Sequence, residues 1–145
     1  MVNLKRGKLS RREKKITLRD EKELKREANE VIRQTQKDLF NPARVTIRQM
    51  DQHEHEIDEQ LAKLEKLRGN LREGHKEFHE LNSKKAELKS WKKRLRMARK
   101  AKELGAKNEE ISRAVRDGVH KHSHGPLKSI LARLRHKREL KEAGR

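Results

Sequence analysis

Between Ile47 and Phe78 the apolar residues keep a seven-residue beat. Ile47, Met50, Ile57, Leu61, Leu64, Leu71 and Phe78 stand three, four or seven positions apart. That spacing lines them up on one stripe of a helix, and so narrow a stripe is buried only against a partner helix. The vacant positions of the repeat are polar: Glu54, Arg68 and His75. The repeat then slips, because Phe78 to Leu81 is three residues where four are due, and it resumes as Leu81, Leu88, Trp91, Leu95 and Ala98. A slip of this kind locally overwinds a coiled coil. The expectation is an all-α, elongated protein with a long central coiled-coil helix, or an antiparallel helical hairpin, and short flanking helices.

Composition supports that class over a broad globular core. Only 30% of the 145 residues are hydrophobic, 44% are charged and 2% are aromatic. Ordering a backbone costs about 1–2 kcal/mol per residue, which so little apolar surface offsets only through economical helix-on-helix contacts. The chain has no cysteine, so disulfides and thiolate metal sites are excluded. It has no apolar run of the roughly 20 residues that span a bilayer, and its start lacks the apolar core of a secretory signal. A cytoplasmic location, or a nuclear one in a eukaryote, is the expectation.

Local signals divide the chain into four parts. Residues 1–17, with Gly7, Ser10 and many Lys and Arg, read as a flexible basic arm. Residues 18–40 read as an amphipathic helix, with Leu24, Ala28, Val31, Thr35 and Leu39 on one face and Ile32 beside them. Asn41-Pro42 then opens the long helix of residues 42–104, and Leu104-Gly105 closes it. Gly69 and Gly74 each cost that helix about 1 kcal/mol relative to Ala. Either the helix runs through them, for about 90 Å at 1.5 Å per residue, or it turns there and folds back. The spacing of Leu64, Leu71 and Phe78 crosses the glycines unbroken and favours continuity. Residues 108–143 form a small basic helical unit: a helix capped by Asn108, a His-rich loop from Val119 to Gly125, and a last helix opened by Pro126.

Charge is distributed unevenly along these parts. The net charge is +18, but residues 41–82 are close to neutral and slightly acidic. The basic residues Lys85, Lys89, Lys92, Lys93, Arg94, Arg96, Arg99 and Lys100 follow, with Glu87 the one acid at a three- or four-residue spacing to pair locally within residues 84–102. Lys89, Lys93, Arg96 and Lys100 form one stripe; Leu88, Trp91, Leu95 and Ala98 form another, well away from it. One face packs on a helix while the other lies along a phosphate backbone. Arg133, Arg135, Lys137 and Arg138 extend the basic character into the last helix.

Other constellations carry less. The segment Leu104-Gly105-Ala106-Lys107-Asn108-Glu109-Glu110-Ile111-Ser112 resembles the opening of a bacterial helix-turn-helix over about a dozen residues. It departs from that motif where Val119 to Gly125 stands in place of a short turn. His120, His122 and His124 alternate in the loop and read as an adventitious metal binder at most; His75 and His79 are read as surface residues, and His53 and His55 as a polar patch. Trp91 is read as a seam residue rather than a base-stacking platform. No phosphate loop, nucleophile motif or pocket-forming core is present, so no enzyme, no small-molecule substrate and no cofactor are expected.

The sequence thus predicts a nucleic-acid-binding accessory protein of a larger nucleoprotein complex, concerned with replication, mobilisation, packaging or the ribosome. It would hold DNA or RNA by its phosphates and pair with a second copy or a partner coiled coil, with no membrane role. The alternative is a coiled-coil adaptor whose positive charge serves an acidic protein.

Overall fold

The structure, a computed structural model, describes residues 11–69 and 76–144, with side chains from residue 21 onward except at positions 77 and 78. The described residues are all-α. Helix α1 spans Arg11–Phe40, a 3₁₀ turn follows at Pro42–Arg44, α2 spans Ile47–Arg68, α3 Lys76–Glu103, α4 Asn108–His120 and α5 Gly125–Ala143. Residues 1–10 of the expected arm, together with Leu71, Gly74 and His75, lie outside the described residues, as does the Phe78 side chain. Helix α1 begins at Arg11, ahead of the start expected near Thr17.

The single helix expected over residues 42–104 does not form. It breaks after Arg68, and α2 and α3 lie against one another as an antiparallel pair. The register is written in their ion pairs: Lys85 meets Glu65, Lys92 meets Asp58, Arg96 meets Glu54 and Arg99 meets Asp51. Each step up α3 is matched by an equal step down α2. The physical reason is that seven-residue spacing says a stripe needs a partner helix without saying which one. The fold supplies it within the chain, by setting α3 antiparallel against α2.

Helix α1 completes a three-helix bundle. It runs antiparallel to α2, with Asp38 beside His53 at 2.7 Å and Glu27 beside Gln60 at 3.2 Å. It runs parallel to α3, with Lys25 on Glu80, Asn29 accepting from Lys84 at 2.6 Å, and the Phe40 ring edge-on to Trp91 with centroids 6.4 Å apart. The polar patch expected at His53 is therefore partly an inter-helix contact.

The bends between helices have specific local causes. Asn41-Pro42 opens only the 3₁₀ turn, and α2 starts instead at a capping box. The Thr46 hydroxyl accepts from the Gln49 amide at 3.1 Å, and the Gln49 side chain accepts from the Thr46 amide at 2.9 Å. Lys102 secures the same corner by donating to the carbonyls of Pro42, at 2.7 Å, and of Val45. Helix α3 ends in a Schellman motif: Gly105 takes φ 95°, and the Ala106 amide returns to the Ala101 carbonyl at 2.9 Å.

Helix α4 ends the same way, except that His122 holds the left-handed position at φ 51° and the Ser123 amide returns to Gly118 at 2.8 Å. The connection from α4 to α5 is therefore the four residues 121–124, not the loop expected from Val119 to Gly125. The helix continues to His120 because Val119 is half-buried and keeps the last turn packed against the core.

One core runs through all five helices. Ala28, Ile32, Thr35 and Leu39 of α1 meet Met50, Ile57 and Leu64 of α2 and Leu81, Leu88, Trp91 and Leu95 of α3. Ile111, Ala114 and Val115 of α4 and Leu127, Ile130 and Leu131 of α5 pack on the far end, where Ala98 and Ala101 of α3 let them approach closely. Thr35 is satisfied by donating to the Val31 carbonyl at 2.9 Å. The apolar seam is spent inside the chain, since the large hydrophobic side chain left exposed among the described residues is Leu140, near the end of α5.

Candidate nucleic-acid interface

The basic half of α3 is sorted by the bundle into three groups with different roles. The first faces α2. Lys85 pairs with Glu65, Lys92 with Asp58 at 2.6 Å, and Arg99 with Asp51 and with Glu54 at 2.7 Å. These carboxylates come from the slightly acidic middle of the chain, so the cations that lack local partners in sequence find them across the hairpin. Burial works against the charge on Arg99, but Glu54 and Asp51 outweigh it and hold its pKa above the usual value. Glu65 is held below the usual carboxylate range chiefly by its hydrogen bond from Lys85.

The second group is Arg94 alone. Its side chain is 7% exposed, with the guanidinium 4.6 Å over the Trp91 ring. Arg94 therefore cannot extend along a phosphate backbone in the way expected of it. Trp91 is itself buried in the core, so its faces are unavailable to bases.

The third group is the outward stripe. Lys89, Lys93, Arg96 and Lys100 are all exposed. Lys89 and Lys93 have no ion-pair partner among the described residues, Lys100 has only a 4.0 Å approach to Glu103 one turn along, and Arg96 lies 3.3 Å from Glu54 while staying 62% exposed.

Helix α5 lies beside this stripe and runs in the same direction. Arg96, Met97, Arg99 and Lys100 share a groove with Leu131 and Arg135, and further along Leu104 shares one with Leu134, Lys137, Arg138 and Lys141. Met97 and Leu131 are the apolar part of the first groove's lining, and Glu103 is the acid that lines both grooves among the cations. Of the α5 residues expected to bind, Arg135 and Lys137 are exposed and make no ion pair among the described residues, each sharing its groove with Glu103, whereas Arg133 pairs with Glu110 and Arg138 with Glu142 at 3.4 Å. The contribution of Lys128 is not legible in sequence: nothing in a linear reading has it share His124 with Lys93. Both press on His124, whose pKa is lowered first by burial and then by Arg94, Lys93 and Lys128.

A helix-turn-helix reader would present the start of its second helix to the groove of DNA. Here Leu127, Ile130 and Leu131 at the start of α5 are buried, and Lys128 and Ser129 are its exposed early residues. Between the end of α1, the 3₁₀ turn and α4, Arg44, Arg113 and Arg116 line an open cleft with Phe40, Asp117 and Glu109; the Arg116 guanidinium sits 5.0 Å over the Phe40 ring. Among the described residues no three His, Asp or Glu side chains gather as a metal site, and no helix is long and apolar enough to cross a membrane. No family model, curated protein or solved structure matches this chain.

Proposed function

We propose that the chain is a nucleic-acid-binding accessory protein that holds a phosphate backbone along the α3–α5 face, as a component of a larger nucleoprotein complex. The observation that carries this reading is the sorting of charge. Acids of α2 neutralise the inner cations of α3, while Lys89, Lys93, Arg96 and Lys100 point outward next to Arg135 and Lys137 of α5. A surface on which Lys89 and Lys93 are unpaired among the described residues and Arg96 and Lys100 stay exposed despite one contact each, beside a neutralised one, is a directed field, and a polyanion that meets it releases its condensed counterions. The rigid bundle fixes the spacing of the contacts. With few aromatic groups exposed, the binding is sequence-tolerant, as backbone contacts carry no base information.

The test is a variant with Lys89, Lys93, Arg96 and Lys100 changed to Gln, compared with wild type by fluorescence anisotropy on labelled duplex DNA and on RNA from about 50 to 200 mM salt. Loss of four phosphate contacts lowers the slope of log affinity against log salt by about 3–4 on B-DNA. An unchanged slope in the variant would sink the reading. Wild-type affinity indifferent to salt would point instead to an adaptor with a protein partner.

A further inference from the structure

Arg94 is the one strongly buried cation of α3, and its Nε has no hydrogen-bond partner. No carboxylate among the described residues compensates it, and burial is the sole cause lowering its pKa. Buried charges in folded proteins are paired or hydrogen-bonded, because leaving one unpaired is costly. The contact it does make, 4.6 Å over the Trp91 ring, engages the face of the guanidinium and leaves Nε, on its edge, without a partner. His124 lies on the neighbouring element, half-buried, and its Nδ1 is likewise without a partner. Lys93 and Lys128 complete the surroundings, and His124 is the N-cap of α5 without any side-chain cap bond to that helix end.

Arg94, Lys93 and Lys128 all act on His124 at the N-terminus of α5, with no anion acting on it, and the Arg94 Nε and His124 Nδ1 atoms are buried and orphaned. We propose that Arg94, Lys93, His124 and Lys128, where α3 meets the start of α5, form a discrete binding site for a phosphoryl oxyanion. The edge of the Arg94 guanidinium matches two oxygens of such a group at once. His124 supplies a third donor, while the α5 dipole favours the negative charge. Lys93 is shared with the outward stripe, so the site stands where a backbone lying on that stripe would end or bend inward. A free phosphate and the terminal phosphate of a strand present the same chemistry to these four groups.

Trp91 is the single tryptophan and carries the Arg94 guanidinium on its ring, so its emission reports the site directly. The experiment titrates the full chain with sodium phosphate at pH 7, holding ionic strength constant with sodium chloride. The expected result is a saturable change in Trp91 emission, half-complete at about 1 mM or below, which corresponds to an ordinary weak anion affinity. Chloride alone gives none. Arg94→Lys weakens the titration at least about tenfold, since Lys cannot bind in bidentate fashion, and His124→Gln weakens it severalfold. His124→Gln alters a half-buried turn residue and keeps the test open if Arg94→Lys fails to fold, with far-UV circular dichroism checking both.

Chloride reproducing the phosphate response would overturn the proposal, as would wild-type affinity in folded variants. A 5′-phosphorylated strand binding at least about tenfold more tightly than its 5′-hydroxyl counterpart assigns the site to a nucleic-acid terminus. Equal binding of the two strands, with phosphate still titrating, assigns it to free phosphate. The outcome is separable from that of the outward stripe, because neither Arg94 nor His124 belongs to the stripe and the probe is phosphate rather than a polyanion.

Discussion

The ladder between α2 and α3 is tested most sharply at Glu54. Its carboxylate serves two arginines at once: Oε2 takes Arg99 at 2.7 Å and Oε1 faces Arg96 at 3.3 Å. The Glu54 and Arg99 side chains are only 17% and 22% exposed, so this pair is less screened than the others in the ladder. Fully exposed pairs are worth about 0.2–1 kcal/mol, and charge-assisted hydrogen bonds up to about 3 kcal/mol. Arg99 also keeps Asp51 when Glu54 is removed, which limits the loss.

A double-mutant cycle of Glu54→Gln and Arg99→Gln should therefore give a coupling of about 1 kcal/mol by urea denaturation at pH 7 and low salt. Glu54→Gln alone should lower stability by about 1–2 kcal/mol, or Tm by several degrees at about 2–4 °C per kcal/mol. The coupling should shrink in about 1 M salt, where the Debye length falls to roughly 3 Å. A coupling below about 0.3 kcal/mol, unchanged by salt, would refute the antiparallel register and the charge sorting built on it.

Gly118→Ala should destabilise the protein, against the general rule for a glycine inside a helix. Ala gains about 1 kcal/mol of helix propensity, but its Cβ would stand 2.5 Å from the Ser123 carbonyl oxygen in the turn after α4. Overpacking of that kind costs about 1–3 kcal/mol, so a net loss of about 1 kcal/mol in chemical denaturation is expected, and a gain would disprove the tight α4–α5 turn. His124 gives a pH signature. Its pKa in the folded chain lies below the ordinary 6.5, because of burial and then of Arg94, Lys93 and Lys128. The unfolded chain therefore takes up the proton first; its stabilising share is complete above pH 6.5, declines as pH falls toward the folded value, and is constant below it. Urea midpoints measured across that window should fall for wild type and stay flatter for His124→Gln.

Several features are fully legible in the sequence. The apolar spacing in residues 18–40 and from Ile47 onward announces helices with one buried stripe each; of the expected α1 face Ala28, Thr35 and Leu39 are buried, while Leu24 and Val31 are half-buried and the neighbouring Ile32 is buried instead. Gly105 announces the stop of α3, since a left-handed cap favours a residue without Cβ. The absence of long apolar runs and of cysteine is equally plain. Even the separation of Lys89, Lys93, Arg96 and Lys100 from Leu88, Trp91 and Leu95 follows from helical periodicity alone.

Partnership is what the sequence leaves open. A seven-residue repeat is satisfied equally by a second copy or by the neighbouring helix, and the tertiary fold chooses the neighbour at Gly69. That choice sets Asp51, Glu54, Asp58 and Glu65 opposite Arg99, Arg96, Lys92 and Lys85, a match between residues roughly 20 to 48 positions apart that no local spacing rule covers. It also turns Arg94 inward and brings His124 within its electrostatic reach. Periodicity decides which face of a helix a charge occupies; only packing decides what lies across from that face, and so whether the charge is neutralised, buried or left to meet a phosphate.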